Sequence, residues 1–95
     1  MRVLLNVEID TAMSNEIIKA GRMGEVIGGI LGTLKPEAAY FHPRNGNRAM
    51  TLVVDSADNA SLMGLAEPFW LQLGARVEAT PCTNADELAE GLARL

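Results

Sequence analysis

The 95-residue chain is 48% hydrophobic and 21% charged, with a formal net charge of −4, nine glycines and one cysteine. This length fits a single domain, residues 1–95, and the apolar share excludes a disordered chain. Cys82 alone cannot form an internal disulfide, and eight Lys and Arg against twelve acids exclude the cationic footprint that nucleic-acid binding requires.

Residues 2 to 9 alternate, setting Val3, Leu5, Val7 and Ile9 against Leu4, Asn6 and Glu8, the period of a half-buried strand. Turn and cap residues follow from Asp10 to Asn15, and a helical stretch is expected from near Ser14. Its main part carries Met23, Val26, Ile27, Ile30, Leu31 and Leu34 on one face, and Lys35-Pro36 stops it. Gly24, Gly28 and Gly32 recur along this helix at a spacing that predicts close packing of another backbone. A short second strand spans Ala38 to His42. Asn45-Gly46 then predicts a hairpin into a third strand over Arg48 to Asp55.

The next helix presents Leu62, Leu65, Ala66, Phe69 and Leu73 on one face, with Pro68 expected to end or bend it near Glu67 and Gly74 as its C-cap. Ala75 to Thr80 reads as a fourth strand. Thr83-Asn84-Ala85-Asp86-Glu87 has the cap-then-acid signature of a last short helix striped by Leu88, Leu92 and Leu95. No apolar run reaches the ~20 residues of a membrane span, and the first residues lack a secretory h-region, so the expectation is a soluble cytoplasmic protein with no membrane partner.

The order β-α-β-β-α-β plus a C-terminal helix is that of the ferredoxin-like α+β fold. It predicts a four-stranded antiparallel sheet in order 4-1-3-2 with both main helices on one face. The other face then carries Leu4, Asn6, Glu8, Thr51, Val53, Asp55, Arg76, Glu78 and Thr80, joined by Tyr40 and His42. This mixture is too apolar for a face made only for water and too polar for a plain dimer core. If a second copy stacks on it, its polar atoms must pair across the interface, hold water or meet a ligand.

The pocket candidates are therefore Asn6, Glu8, Tyr40, His42, Asp55, Trp70, Arg76 and Glu78. Glu8, Asp55 and Glu78 are candidate bases if a partly dry pocket raises their pKa, and the alternative is that Arg76 neutralises one of them. His42 is a candidate acid or base, or a histidine that merely ends a strand. Trp70 lies off the helical stripe, as a pocket rim or dimer contact. One histidine excludes a multi-histidine metal site within the chain. Gly28-Gly29-Ile30-Leu31-Gly32 fits neither phosphate-loop pattern, and no cofactor is expected.

Several passages carry a resemblance: Val3-Leu-Leu-Asn-Val-Glu8, Leu34-Lys-Pro-Glu-Ala-Ala-Tyr-Phe41, Leu52-Val-Val-Asp55, Leu65-Ala-Glu-Pro-Phe-Trp70, Val77-Glu-Ala-Thr-Pro81 and Asp86-Glu-Leu88. Together they resemble a family of small uncharacterised bacterial proteins of the dimeric α/β-barrel superfamily, with a more distant similarity to muconolactone isomerases. The resemblance implies a homodimer built through the open sheet face, with a pocket inside each subunit. The leading expectation is a small, partly apolar ligand bound between sheet and helices. One alternative is an isomerase or a cofactor-free monooxygenase of the kind this superfamily contains, using a carboxylate or His42 for proton transfer. Another is an assembly module without ligand.

Overall fold

The computed structural model describes residues 1–95, in the order β1 (Arg2–Glu8), α1 (Thr11–Lys19), α2 (Met23–Leu34), β2 (Ala38–Arg44), β3 (Asn47–Asp55), α3 (Ser61–Leu73), β4 (Arg76–Pro81) and α4 (Ala85–Ala93). The four strands form one antiparallel sheet in the order β2-β3-β1-β4, the expected order read from the other edge. Register places Val3 opposite Val54, Leu5 opposite Leu52 and Val7 opposite Met50. Because side chains alternate along a strand, all six point to one face, and there they meet Ile30, Phe69 and Leu73 of α2 and α3. None of these nine is more than 3% exposed.

The single helical stretch expected after β1 is two helices, and the first begins earlier than Ser14. Asp10 caps α1 by accepting the Met13 amide at 2.8 Å. Gly21, at φ +72°, lets the chain leave the helix while the Gly21 and Arg22 amides bond back to the Ile18 and Ile17 carbonyls. Ser14 thus falls inside α1, fully buried, where it donates to the Thr11 carbonyl and accepts from Arg48 Nη1 at 2.8 Å.

The hairpin is as expected, with Asn45 and Gly46 at φ 51° and 78°, the two positive angles of a type I′ turn. β2 extends two residues beyond His42, through Pro43, which an edge strand tolerates because one row of its amides has no ladder partner. Pro68 does not end α3, which continues to Leu73 and is capped by Gly74 in the left-handed conformation. A proline inside a helix costs about 3 kcal/mol. Phe69 and Leu73, each 0% exposed, lie beyond it and offset that cost with roughly 1.5–3 kcal/mol apiece from burial.

The glycine ridge of α2 does not receive another backbone. A Cβ built at Gly24, Gly28 or Gly32 meets nothing within 4 Å, so the spacing coincides with an uncovered helix face. The last helix forms where the cap signature placed it, with a reciprocal capping box: Glu87 donates its amide to Asn84 Oδ1 at 2.8 Å, and Asn84 donates its own to Glu87 Oε1 at 2.9 Å. Its leucine stripe stays outside the core, and every residue from Thr83 to Leu95 is exposed. No helix is long and apolar enough to cross a membrane.

Candidate functional site

The sheet surface turned away from α1, α2 and α3 carries the polar set expected there. Asn6 faces Thr51 on one side and Glu78 on the other, Glu8 faces Ala49 and Arg76, and Tyr40 and His42 face Thr51 and Ala49. These groups satisfy one another within the chain. Thr51 Oγ1 stands within hydrogen-bonding distance of both Asn6 Oδ1, at 3.0 Å, and His42 Nε2, at 2.7 Å, and the tautomer of the ring sets which of the two atoms donates in the second contact. The second ring nitrogen of His42 lies 3.0 Å from the Pro43 carbonyl.

Glu8 is held by the hairpin turn. Asn45 Nδ2 donates to its Oε1 at 2.8 Å and Asn47 Nδ2 to its Oε2 at 3.0 Å. These hydrogen bonds, first from Asn45 and then from Asn47, hold the carboxyl below the usual glutamate range, with the Arg76 and Arg44 charges adding to the effect. A general base gains from a pKa raised toward the working pH, and Glu8 moves the other way. Arg76 lies opposite Glu8 in register, yet its ion pair is with Glu78 of its own strand at 3.4 Å; Arg44 reaches the same carboxylate at 3.2 Å.

A carboxyl with a lowered native pKa contributes stability that is complete above its unfolded value, about 4.3, and is lost as pH falls through the native value. Replacing Glu8 by Gln is therefore expected to destabilise at pH 7 and to matter progressively less at a pH well below about 4.3. Urea midpoints of the two proteins at both pH values check this, and an unchanged gap would refute the role assigned to Asn45 and Asn47.

Two of the candidates lie apart from this cluster. Asp55 sits opposite Arg2, at the other end of β1 from Glu8, about 20 Å along the strand, and its carboxylate accepts from the Met1 ammonium at 3.1 Å. Trp70 belongs to α3, on the helix side of the sheet, and is 38% exposed. It cannot share a pocket with Asn6, Glu8 or Glu78, because the sheet lies between them. Tyr40 is 71% exposed on the edge strand. No group of three His, Cys, Asp or Glu residues is placed to hold a metal ion.

The principal concavity is on the helix side. It is a groove of about 550 Å³ between α2 and the β2–β3 hairpin, lined by Ile9, Thr11, Met23, Ile27, Phe41, His42, Pro43, Gly46, Asn47, Arg48, Ala49 and Met50. Of the eight sequence candidates only His42 contributes to it. Its floor is apolar, while Thr11, Asn47 and Arg48 bring hydrogen-bonding groups, and Thr11 Oγ1 bonds Asn47 Oδ1. Arg48 is its only charged lining residue. That guanidinium is anchored on Ser14 and Asn15, both at 2.8 Å, and has no carboxylate partner.

The groove exists because the helix layer stops short of the edge strand. Phe41 pairs with Met50 and shares its face, yet Met50 is 1% exposed and Phe41 57%. In the sequence Met23 and Ile27 count as core-stripe residues, and their position at the margin of the core is invisible there. The adjacent aromatics Tyr40 and Phe41 were the available signal: in a strand they must lie on opposite faces, so one had to occupy the helix side of an edge strand. No protein-family model matches the chain, and no curated protein is significantly similar to it in sequence.

Proposed function

We propose that the protein is a ferredoxin-like homodimer of the dimeric α/β-barrel type that binds a small, partly apolar molecule in the groove between α2 and the β2–β3 hairpin. The groove carries this reading. Its volume of about 550 Å³ falls within the roughly 300–1,000 Å³ of small-molecule sites, and its apolar floor with a few convergent polar groups has the usual composition of such a site. Ile9, Met23, Ile27 and Met50 would take the apolar body of the ligand. Arg48, whose charge no carboxylate neutralises, favours a ligand carrying an acidic or strongly polar group at one end.

The open sheet face supports the dimer. Leu4 and Val53 stand directly opposite one another there, both half-buried, and the surrounding polar groups are already paired within the chain.

Native mass spectrometry of protein taken directly from cells tests both parts. The expected result is a mass of two chains plus a retained small molecule, with the retained molecule lost, at least tenfold, in an Ile27→Trp variant whose new ring fills the groove. Recovery of ligand-free protein, or equal retention by the variant, would overturn the ligand reading, and a single-chain mass at micromolar concentration would overturn the dimer.

A further inference from the structure

Asn45 is the only asparagine in the chain that a glycine follows. Such a pair carries its own chemistry, because the glycine amide nitrogen, which no side chain shields, can attack the carbonyl carbon of the asparagine side chain. Asn45 and Gly46 are both exposed, and the Gly46 amide bonds to no acceptor in the chain, so the nucleophile is free. Conformation holds the reaction back. Asn45 stands at φ 51° as the first central residue of a type I′ turn, a position where ψ is about +30°. At that ψ the Asn45 Cβ lies nearly anti to the Gly46 nitrogen, and the side-chain carbon cannot reach it.

The turn is held by a residue outside the hairpin. Glu8 of β1 reaches over to it and binds both flanks of Gly46, accepting from Asn45 Nδ2 at 2.8 Å and from Asn47 Nδ2 at 3.0 Å. One carboxylate therefore staples the residue before the glycine to the residue after it. The bond to Asn45 also acts on the reaction directly. A side-chain amide that donates to a carboxylate is fixed in its rotamer, and the nearby negative charge pushes its nitrogen lone pair further into the carbonyl, which makes that carbon a poorer electrophile.

We propose that the β2–β3 turn is a latent deamidation site for which Glu8 is the latch. When Glu8 lets go and the turn opens locally, the Gly46 nitrogen gives its proton to solvent water or hydroxide and bonds to Asn45 Cγ, and the Cγ–Nδ2 bond breaks to release ammonia. Water then opens the succinimide at either carbonyl, leaving aspartate or isoaspartate; the net change is a water taken up and an ammonia lost. The product cannot relatch. A carboxylate now faces Glu8 where Nδ2 donated, and like charges that close repel. The isoaspartate form also adds a methylene to the backbone of a turn whose length sets the register of β2 on β3. Gly46 and Asn47 line the groove, so the modification loosens that wall of it, whatever the groove binds.

Peptide mass spectrometry of the protein held in mildly alkaline buffer tests this, reading the mass gain of the amide-to-acid change at Asn45 against Asn59 and Asn84, each followed by alanine. The intact protein is expected to convert Asn45 at least tenfold more slowly than a synthetic peptide of residues 42–49, and Glu8→Ala is expected to raise the rate in the folded protein at least fivefold. Glu8→Gln, which keeps an acceptor oxygen without the charge, serves should alanine disturb the fold, and is expected to raise the rate at least twofold. Ile30→Val, a core change on the helix side of the sheet, separates the latch from general weakening and is expected to leave the Asn45 rate within about twofold of the parent. An intact-protein rate equal to that of the peptide overturns the closed turn. Unchanged rates in both Glu8 variants, or an equal rise in Ile30→Val, overturn the latch.

Discussion

Replacing Phe69 by alanine is expected to cost about 3–5 kcal/mol, the range for emptying a fully buried aromatic site. Phe69 is the largest fully buried side chain, 0% exposed, in one cluster with Leu5, Leu52 and Leu73. Its loss acts twice. It opens a cavity beneath the sheet, and it removes one of the two anchors that hold α3 together beyond Pro68. Set against a total stability of about 5–15 kcal/mol, this is a large fraction, and for a domain of this size each kcal/mol lowers the melting temperature by about 4–8 °C. Urea and thermal denaturation check the value. Trp70→Ala, one residue on and 38% exposed, is the control, expected to cost well under half as much. Similar losses at the two positions would refute the assignment of Phe69 as the centre of the core.

The second large effect is at Gly74, where alanine is expected to destabilise by about 2 kcal/mol. Gly74 holds φ +55° as the C-cap of α3, a conformation that costs an L-residue roughly 1–2 kcal/mol. An added Cβ would also stand 2.9 Å from Met13 Sδ and 3.5 Å from Asp10 Cβ. The thioether is the flexible end of a side chain that is 37% exposed, so it can yield, and the backbone term dominates. The same substitution at Gly28, inside α2 with open space around its Cβ, is expected to stabilise by about 0.5–1 kcal/mol, because alanine loses less backbone freedom in a helix. Chemical denaturation of the two variants should give shifts of opposite sign, and shifts of the same sign would contradict the conformation assigned to Gly74.

The contrast between those glycines also marks how far the sequence could be read. The Gly24, Gly28 and Gly32 spacing looked like a packing ridge, and Gly74 like a cap, yet only the second depends on local geometry. A cap is decided by the residue's own backbone angles and by bonds to the preceding turn. A packing ridge requires a second element at that face, and in this chain none arrives there. Pro68 fails as a stop signal for a related reason, since the burial of Phe69 and Leu73 against the sheet outweighs a local cost of about 3 kcal/mol.

The sequence by itself determined the kind and order of the elements apart from the break at Gly21 that divides the first helical stretch into α1 and α2, the strand order of the sheet and which β1 and β3 residues face the helices. These follow from periods of two and 3.6 residues and from the turn chemistry of Asn45-Gly46, all of which are local. It also placed Asn6, Glu8, Thr51 and Glu78 on one surface. Only the tertiary structure decided that Asn45 and Asn47 fold back to hold Glu8 ionised, that Asp55 and Trp70 lie away from that cluster, and that the groove opens on the opposite face, where the helix layer ends before β2. The same holds for α4, whose stripe was legible as apolar but not as uncovered. Where a layer stops and which faces meet depend on non-local packing, and residue periodicity carries no information about the position of that boundary.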